Sequence, residues 1–226
     1  MSPARKLVIA IDGPAGSGKS TIAARLAKKL GYVNLESGAM YRALALKAME
    51  QQVSLDDGEA LRQLATGTVI ELEPRGEGNR VLLDGRDVSQ RVRDADVTAA
   101  ASRVSIHSQV REVMVRRQRY LGRDGGVVME GRDIGTAVFP NAEVKIFLDA
   151  EESVRAERRI LQNGLRSAEE AQRVLAEIAA RDQRDRTRSA SPLVAARDAV
   201  HIDTTHKSID DVVVEVERIV RKVVSG

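Results

Sequence analysis

The chain of 226 residues contains no cysteine and no tryptophan, two phenylalanines, three tyrosines and three histidines. Without cysteine there is neither a disulfide nor a thiolate metal centre, and a reducing compartment is permitted. No apolar run approaches the roughly 20 residues of a membrane span, and the N-terminus lacks the apolar stretch of a secretory signal. The expected setting is therefore the cytoplasm. So few aromatics leave the core to Val, Ile, Leu and Ala, which suits parallel strands covered by helices. Their scarcity also argues against a surface on which single-stranded nucleic acid would stack. His107, His201 and His206 are isolated and expected to be structural or exposed, so no Ser/His/Asp arrangement is present. The guanine-reading Asn/Thr-Lys-x-Asp signature is absent too. A net charge of +3 and an isoelectric point near 9.3 raise the question of nucleic acid. Many of the arginines are clustered locally, however, and a protein that handles several phosphates is the simpler account.

What is present begins with Gly13-Pro14-Ala15-Gly16-Ser17-Gly18-Lys19-Ser20, followed by Thr21, which fits the G-x-x-x-x-G-K-[ST] phosphate-binding loop at every required position. Leu7 to Ile11 before it reads as a buried strand. Ile22, Ala23, Leu26, Ala27 and Leu30 after it recur at helical spacing up to Gly31. Glycines let successive backbone N–H groups wrap a phosphate, and the helix adds its positive dipole end. Lys19 is expected to reach the β- and γ-phosphates of ATP, and Ser20 to ligate Mg²⁺. The bland alternative is a chance glycine turn.

Farther along, Tyr32 to Glu36 reads as a second strand, and Arg42 falls in the opening turns of the helix that follows. Arg42 is either a solvated helix charge or a group aimed over the strand ends. After a helix at 56–65 the period changes: 68–73 and 79–83 alternate apolar and polar residues around Arg75-Gly76-Glu77-Gly78. This small antiparallel insertion (67–88) is either a substrate-side subdomain or decoration. Helices are expected over 95–105 and 108–121. The strand Val127-Val128-Met129 then delivers Glu130-Gly131-Arg132-Asp133 at its carboxyl end, where open α/β sheets bind ligands. A fourth strand covers 144–148. A helical pair follows across Gln162-Asn163-Gly164, its second helix running from 168 to about 184, and nine arginines lie between Arg155 and Arg188. These form a solvated, salt-bridged hairpin or a lid that brings arginines onto phosphates. A fifth strand (199–203) leads to a last helix opened by a Ser208-x-x-Asp211 cap, with an apolar stripe from Ile209 to Val223.

The expected fold is a single α/β domain of P-loop three-layer type: a five-stranded parallel sheet over 1–66, 89–150 and 190–226, the antiparallel insertion, and a helical lid over 151–189. Many arginines, one loop lysine and no obvious base suit phosphoryl transfer to a phosphate acceptor. A nucleoside monophosphate is largely dianionic at neutral pH, its second pKa being about 6, and needs positioning and charge neutralisation rather than deprotonation.

Ile9-Ala-Ile-Asp-Gly-Pro-Ala-Gly-Ser-Gly-Lys-Ser20, Leu35-Glu-Ser-Gly-Ala-Met-Tyr-Arg42, Glu130-Gly-Arg-Asp-Ile-Gly-Thr-Ala-Val-Phe-Pro140, Lys145-Ile-Phe-Leu-Asp149 and Arg181-Asp-Gln-Arg-Asp-Arg-Thr-Arg188 together resemble the bacterial cytidylate (CMP/dCMP) kinases over nearly the whole chain. The resemblance implies ATP at Gly13 to Thr21 with a further contact from Arg158. It puts CMP or dCMP against Ser37, Arg42, Ser102, Arg111, Arg132, Asp133, Arg181, Asp185 and Arg188. Within that set it implies that Ser37 meets the base side of CMP, that Ser102, Arg111 and Asp133 read cytosine, and that Arg42, Arg132 and Arg188 serve the acceptor phosphate. Arg181 and Asp185 are implied to contact the sugar. Lys19, Arg132 and Arg188 are the implied catalytic groups, in a monomer with no nucleic-acid or membrane partner. The rival readings are another small-molecule kinase, acting on UMP, AMP or shikimate, and a nucleotide-dependent nucleic-acid-binding protein.

Overall fold

The computed structural model describes residues 6–75, 78–163 and 167–225; Gly76 and Glu77 of the expected hairpin turn, and Gly164 at the start of the lid connection, lie outside the described residues. In chain order the elements are β1 (Val8–Asp12), α1 (Lys19–Leu30), β2 (Val33–Glu36), α2 (Ser37–Glu50), α3 (Gly58–Thr66), β3 (Ile70–Arg75), β4 (Gly78–Leu83) and β5 (Arg86–Asp87). Then come α4 (Ala95–Val104), α5 (Ser108–Leu121), β6 (Val127–Gly131), β7 (Val144–Asp149), α6 (Glu152–Asn163), α7 (Ala168–Thr187), β8 (Val200–Asp203) and α8 (Ile209–Ser225).

Five strands form one parallel sheet in the order β2-β6-β1-β7-β8. β1 is central because Ile9, Ala10 and Ile11 are wholly buried, as a strand covered on both faces must be. On one face Ile22 and Leu26 of α1 and Val212, Val216 and Val220 of α8 close over Ile9, Ile11, Ile146 and Leu148. The expected stripe of α8 holds except at its end, where Val223 is 41% exposed. A second cluster joins α2 and α3 to α4 and α5 through Met40, Leu44, Leu61, Val104, Val110 and Met114. Truncating any of these to Ala costs about 2–5 kcal/mol.

Strand order decides which loops meet. β1 and β6 are neighbours in register, with Asp12 opposite Gly131. The glycine loop leaving β1 therefore faces the segment leaving β6, although more than a hundred residues separate them.

β3, β4 and β5 make a separate antiparallel sheet. Val81, Leu83 and Val88 pack on Ala39, Ala43 and Leu46 of α2. Asn79 ties this sheet to the end of β2: its Nδ2 donates to the Asn34 carbonyl (2.8 Å) and its Oδ1 accepts from the Glu36 N–H (2.9 Å). Among the described residues α6 and α7 share a small apolar contact, Ala156 and Ile160 with Val174 and Ile178. α7 continues to Thr187, three residues past the expected end, and its C-terminal Arg188 N–H still bonds the Arg184 carbonyl (3.0 Å). The extra turn brings Arg181, Asp185 and Arg188 onto one helix face.

Candidate active site

The phosphate loop is shaped by its glycines. Gly13 has φ +147°, and a Cβ there would lie 2.0 Å from the Leu148 carbonyl oxygen. Gly16 has φ +78° and rests against Arg155, whose backbone oxygen would be 2.9 Å from an added Cβ. Ser17 Oγ donates to the Pro14 carbonyl (3.0 Å). Lys19 is buried, and its ammonium donates to that same carbonyl and to Ser17 Oγ (3.3 Å). Burial, and then the nearby Arg132 guanidinium, push Lys19 down to about 7. In its charged form it is hydrogen-bonded only to neutral oxygens, so a phosphate oxygen would offer it a stronger, charge-assisted bond. Ser20 is exposed and Thr21 half-buried in the first turn of α1.

Ser20 Oγ donates to Glu130 Oε1 (3.1 Å), across the carboxyl ends of β1 and β6. No group of three or more His, Asp or Glu able to hold a metal by itself occurs among the described residues. A hydroxyl and one carboxylate are hard oxygen donors of the kind Mg²⁺ takes when phosphates and water complete its shell. The residues present therefore fit a magnesium ion that arrives with a nucleotide.

Opposite the loop is a cluster of arginines and carboxylates. Arg111, buried on α5, donates to Asp133 Oδ2. Arg132 Nε donates to Asp185 Oδ2 (2.8 Å). Arg188 lies 3.4 Å from Asp133 and 3.9 Å from Asp185, and Arg181 lies 4.0 Å from Asp185. Burial, with Arg132 beside it, lowers Arg181 to about 10. Ser37 Oγ donates to the Glu130 carbonyl (2.8 Å), Arg42 reaches Glu36 (3.4 Å), and Ser102 Oγ accepts from Arg184 Nε (3.0 Å). Lys19, Ser20, Ser37, Arg42, Ser102, Arg111, Arg132, Asp133, Arg181, Asp185 and Arg188 line one cavity of about 170 Å³. Of the residues that line it, Tyr41 Oη, Arg42 Nε and Arg111 Nε are buried without a hydrogen-bond partner, which costs stability.

Arg158 stands apart. It donates to Thr204 Oγ1 (3.0 Å) and the Thr204 carbonyl (2.6 Å), and Thr204 in turn bonds the Ser17 carbonyl (3.3 Å) at the back of the loop. None of the histidines lines the cavity: His107 pairs with the Leu55 carbonyl (2.9 Å) and His201 stacks on Phe147.

Several site groups escape a reading of the sequence. Arg155 donates to the carbonyls of Ala150 (2.9 Å) and Ala15 (3.0 Å) and lies 2.6 Å from Asp182 on α7. It thus joins the phosphate loop to the arginine-bearing helix, and in the sequence it is one arginine among nine. Glu36, shared by Arg42 and Arg93 (3.8 Å), reads only as a strand end. Arg184 looks like any charge on a polar helix.

The sheet order, the loop on β1 and the cationic cavity facing it define a P-loop phosphotransferase. A solved protein from Eubacterium ventriosum, described as uncharacterised, shares the fold with a TM-score of 0.50 at 13% identity, over 98% of this chain and 99% of that one. The cytidylate kinase family model matches residues 9–223. A cytidylate kinase of Geobacillus sp. is 50% identical over 215 residues, covering 95% of this chain and 96% of the relative. One from Enterococcus faecalis is 49% identical over 218 residues, 96% of both. The chain belongs to the cytidylate kinase family, and it is an enzyme, a kinase.

Proposed function

We propose that the chain transfers the γ-phosphoryl group of ATP to CMP and dCMP, giving ADP and CDP or dCDP in pyrimidine nucleotide metabolism. The observation that carries this reading is the cavity in which Lys19 of the phosphate loop faces Arg132, Asp133 and Arg188. Gly13 to Thr21 hold the ATP phosphates through loop N–H groups and Lys19, and Arg158 braces the loop from behind. Mg²⁺, held on the protein side by Ser20 with Glu130 beside it, neutralises phosphate charge when bound.

The acceptor phosphate lies among Arg42, Arg132 and Arg188, and the ribose against Arg181 and Asp185. Asp133 accepts from the cytosine amine while Arg111 and Ser102 donate to the ring N3 and O2. A uracil carbonyl in place of the amine would face the Asp133 carboxylate, so the site selects by mismatch. The acceptor phosphate is already a nucleophile near neutral pH, and the guanidinium groups offset the charge spread over the transferring oxygens. Arg111 with Asp133 and Arg132 with Asp185 already pair with one another, so neither carboxylate is a lone buried charge before the nucleotide enters. The enzyme acts as a monomer in the cytoplasm, with residues 67–88 on the acceptor side and 151–189 as the lid.

The test is ADP release with Mg²⁺-ATP against CMP, dCMP, UMP, AMP, GMP and shikimate. Turnover is expected to be strongest with CMP and dCMP. Turnover confined to another acceptor would keep the phosphate loop and refute the roles given to Ser102, Arg111 and Asp133.

A further inference from the structure

Asp12 closes β1 immediately before the phosphate loop and is 4% exposed. Asp12 is absent from the cavity lining, and its carboxylate meets the backbone that follows β6. Oδ1 accepts from the Ile134 N–H (2.8 Å) and Oδ2 from the Gly135 N–H (2.7 Å). Those two amides open a π-type turn, Ile134–Val138, closed by Phe139 N–H to the Ile134 carbonyl (2.7 Å). The same turn folds back on Asp133, whose carbonyl accepts from Ala137 (2.8 Å) and Val138 (3.2 Å). Arg132 and Asp133 therefore sit on a short bridge. Its leading end is β6, paired with β1 at Gly131, and its trailing end is gripped by Asp12. The fit is close: a Cβ on Gly135 would lie 3.4 Å from Asp12 Oδ2 and 3.3 Å from Lys145 Cδ. Burial pushes Asp12 up to about 6, its two N–H partners oppose that rise, and Asp133 and Lys19 are the charged groups that act on it.

We propose that Asp12 is a positioning residue for the acceptor nucleotide: by holding the amides of Ile134 and Gly135 it sets Arg132 and Asp133 toward the acceptor, although its neighbours in sequence bind ATP. This rests on the acceptor roles proposed for Arg132 and Asp133. A carboxylate is suited to the task because its two oxygens accept from two successive N–H groups at once, and charge strengthens both bonds. An amide offers one acceptor and turns a donor toward the second N–H.

The experiment compares Asp12→Asn with the parent enzyme and with Asp133→Ala, reading KM for CMP and for ATP separately. The thermal shift produced by each nucleotide alone is measured in parallel. KM for CMP is expected to rise about tenfold, the scale of one charge-assisted hydrogen bond, with KM for ATP within about twofold. The CMP-induced thermal shift is expected to shrink, as in Asp133→Ala, and the ATP-induced shift to persist. An equal rise in both KM values, a rise for ATP alone, or no change overturns the proposal. Should Asp12→Asn not fold, Asp12→Glu keeps the charge, displaces it by one methylene, and is read by the same comparison. If the parent prefers another nucleoside monophosphate, the cytosine assignment fails by itself, and the variants are read with the preferred acceptor.

Discussion

A lysine buried among neutral oxygens carries its charge at a cost until a phosphate arrives. Lys19 is in that position, its folded-state pKa near 7 against 10.5 in the unfolded chain. Between those values the unfolded chain binds a proton that the folded chain lacks, so this group makes stability rise with pH from about 7 to about 10.5. Below pH 7 the folded lysine is charged and the ligand-free protein bears the whole penalty. Lys19→Met is expected to lower kcat by about 10² or more while leaving the melting temperature of the free protein unchanged or higher. The rise of melting temperature with pH above 7 is expected to flatten in the variant, which differential scanning fluorimetry across that range checks. A drop in melting temperature at neutral pH would contradict the account. On the proposed role, activity and stability are expected to pull apart at this one side chain, because the transferring phosphate, and not the fold, would need the charge.

Among the elements, α7 is the one on which the proposed acceptor site leans most. It presents Arg181, Asp185 and Arg188 to the cavity, yet its apolar footing on α6 among the described residues is small, Val174 and Ile178 against Ala156 and Ile160. The Arg155–Asp182 pair, 2.6 Å apart and buried on both sides, supplies a further fixed point between this helix and the Ala15 carbonyl of the loop. Removing one partner of a buried pair leaves the other charge uncompensated, at about 3–5 kcal/mol. Asp182→Asn is therefore expected to lower the urea midpoint and reduce kcat together. The double variant Arg155→Met/Asp182→Leu is expected to regain stability without regaining activity, because an apolar pair restores packing and leaves the Ala15 carbonyl unheld. Recovery of both in the double variant would show that the pair serves packing alone. The insertion sheet is fastened just as specifically. Asn79 grips both sides of Leu35 in β2, so this hairpin sets the strand end from which Glu36 meets Arg42.

At the scale of the whole molecule, the net charge of +3 is the remainder of a large number of opposed charges, most of them paired. Arg62 with Glu59, Arg91 with Asp96, Arg103 with Asp56 and Arg86 with Glu50 are exposed pairs. Exposed pairs of this kind add little to stability, and each sets a carboxylate beside its arginine. Binding of a labelled single-stranded oligonucleotide is accordingly expected to be weak at about 50 mM salt and absent at about 200 mM. Tight binding with a steep salt slope would favour a nucleic-acid role. Around the cavity six arginines, Arg42, Arg111, Arg132, Arg159, Arg181 and Arg188, line one enclosed space with Lys19.

The local features are legible in the chain itself. The phosphate loop is one contiguous stretch whose residue types are dictated by backbone conformation and phosphate chemistry. Helix α5 is readable to the residue because its buried positions repeat with the helical period, and the strands because they are short apolar runs between turns. The motifs that carry the family resemblance are likewise each continuous in the chain. Tertiary structure alone decided who meets whom. The order β2-β6-β1-β7-β8 brings Ser20 to Glu130, Asp12 to Ile134 and Arg155 to Ala15, pairs separated by 110, 122 and 140 residues. No periodicity encodes such pairings, since a polar residue at the end of a strand looks the same whichever strand lies beside it. The choice is made by the summed burial of the whole sheet, and Asp12, Glu36 and Arg155 acquire their partners only when that sheet has formed.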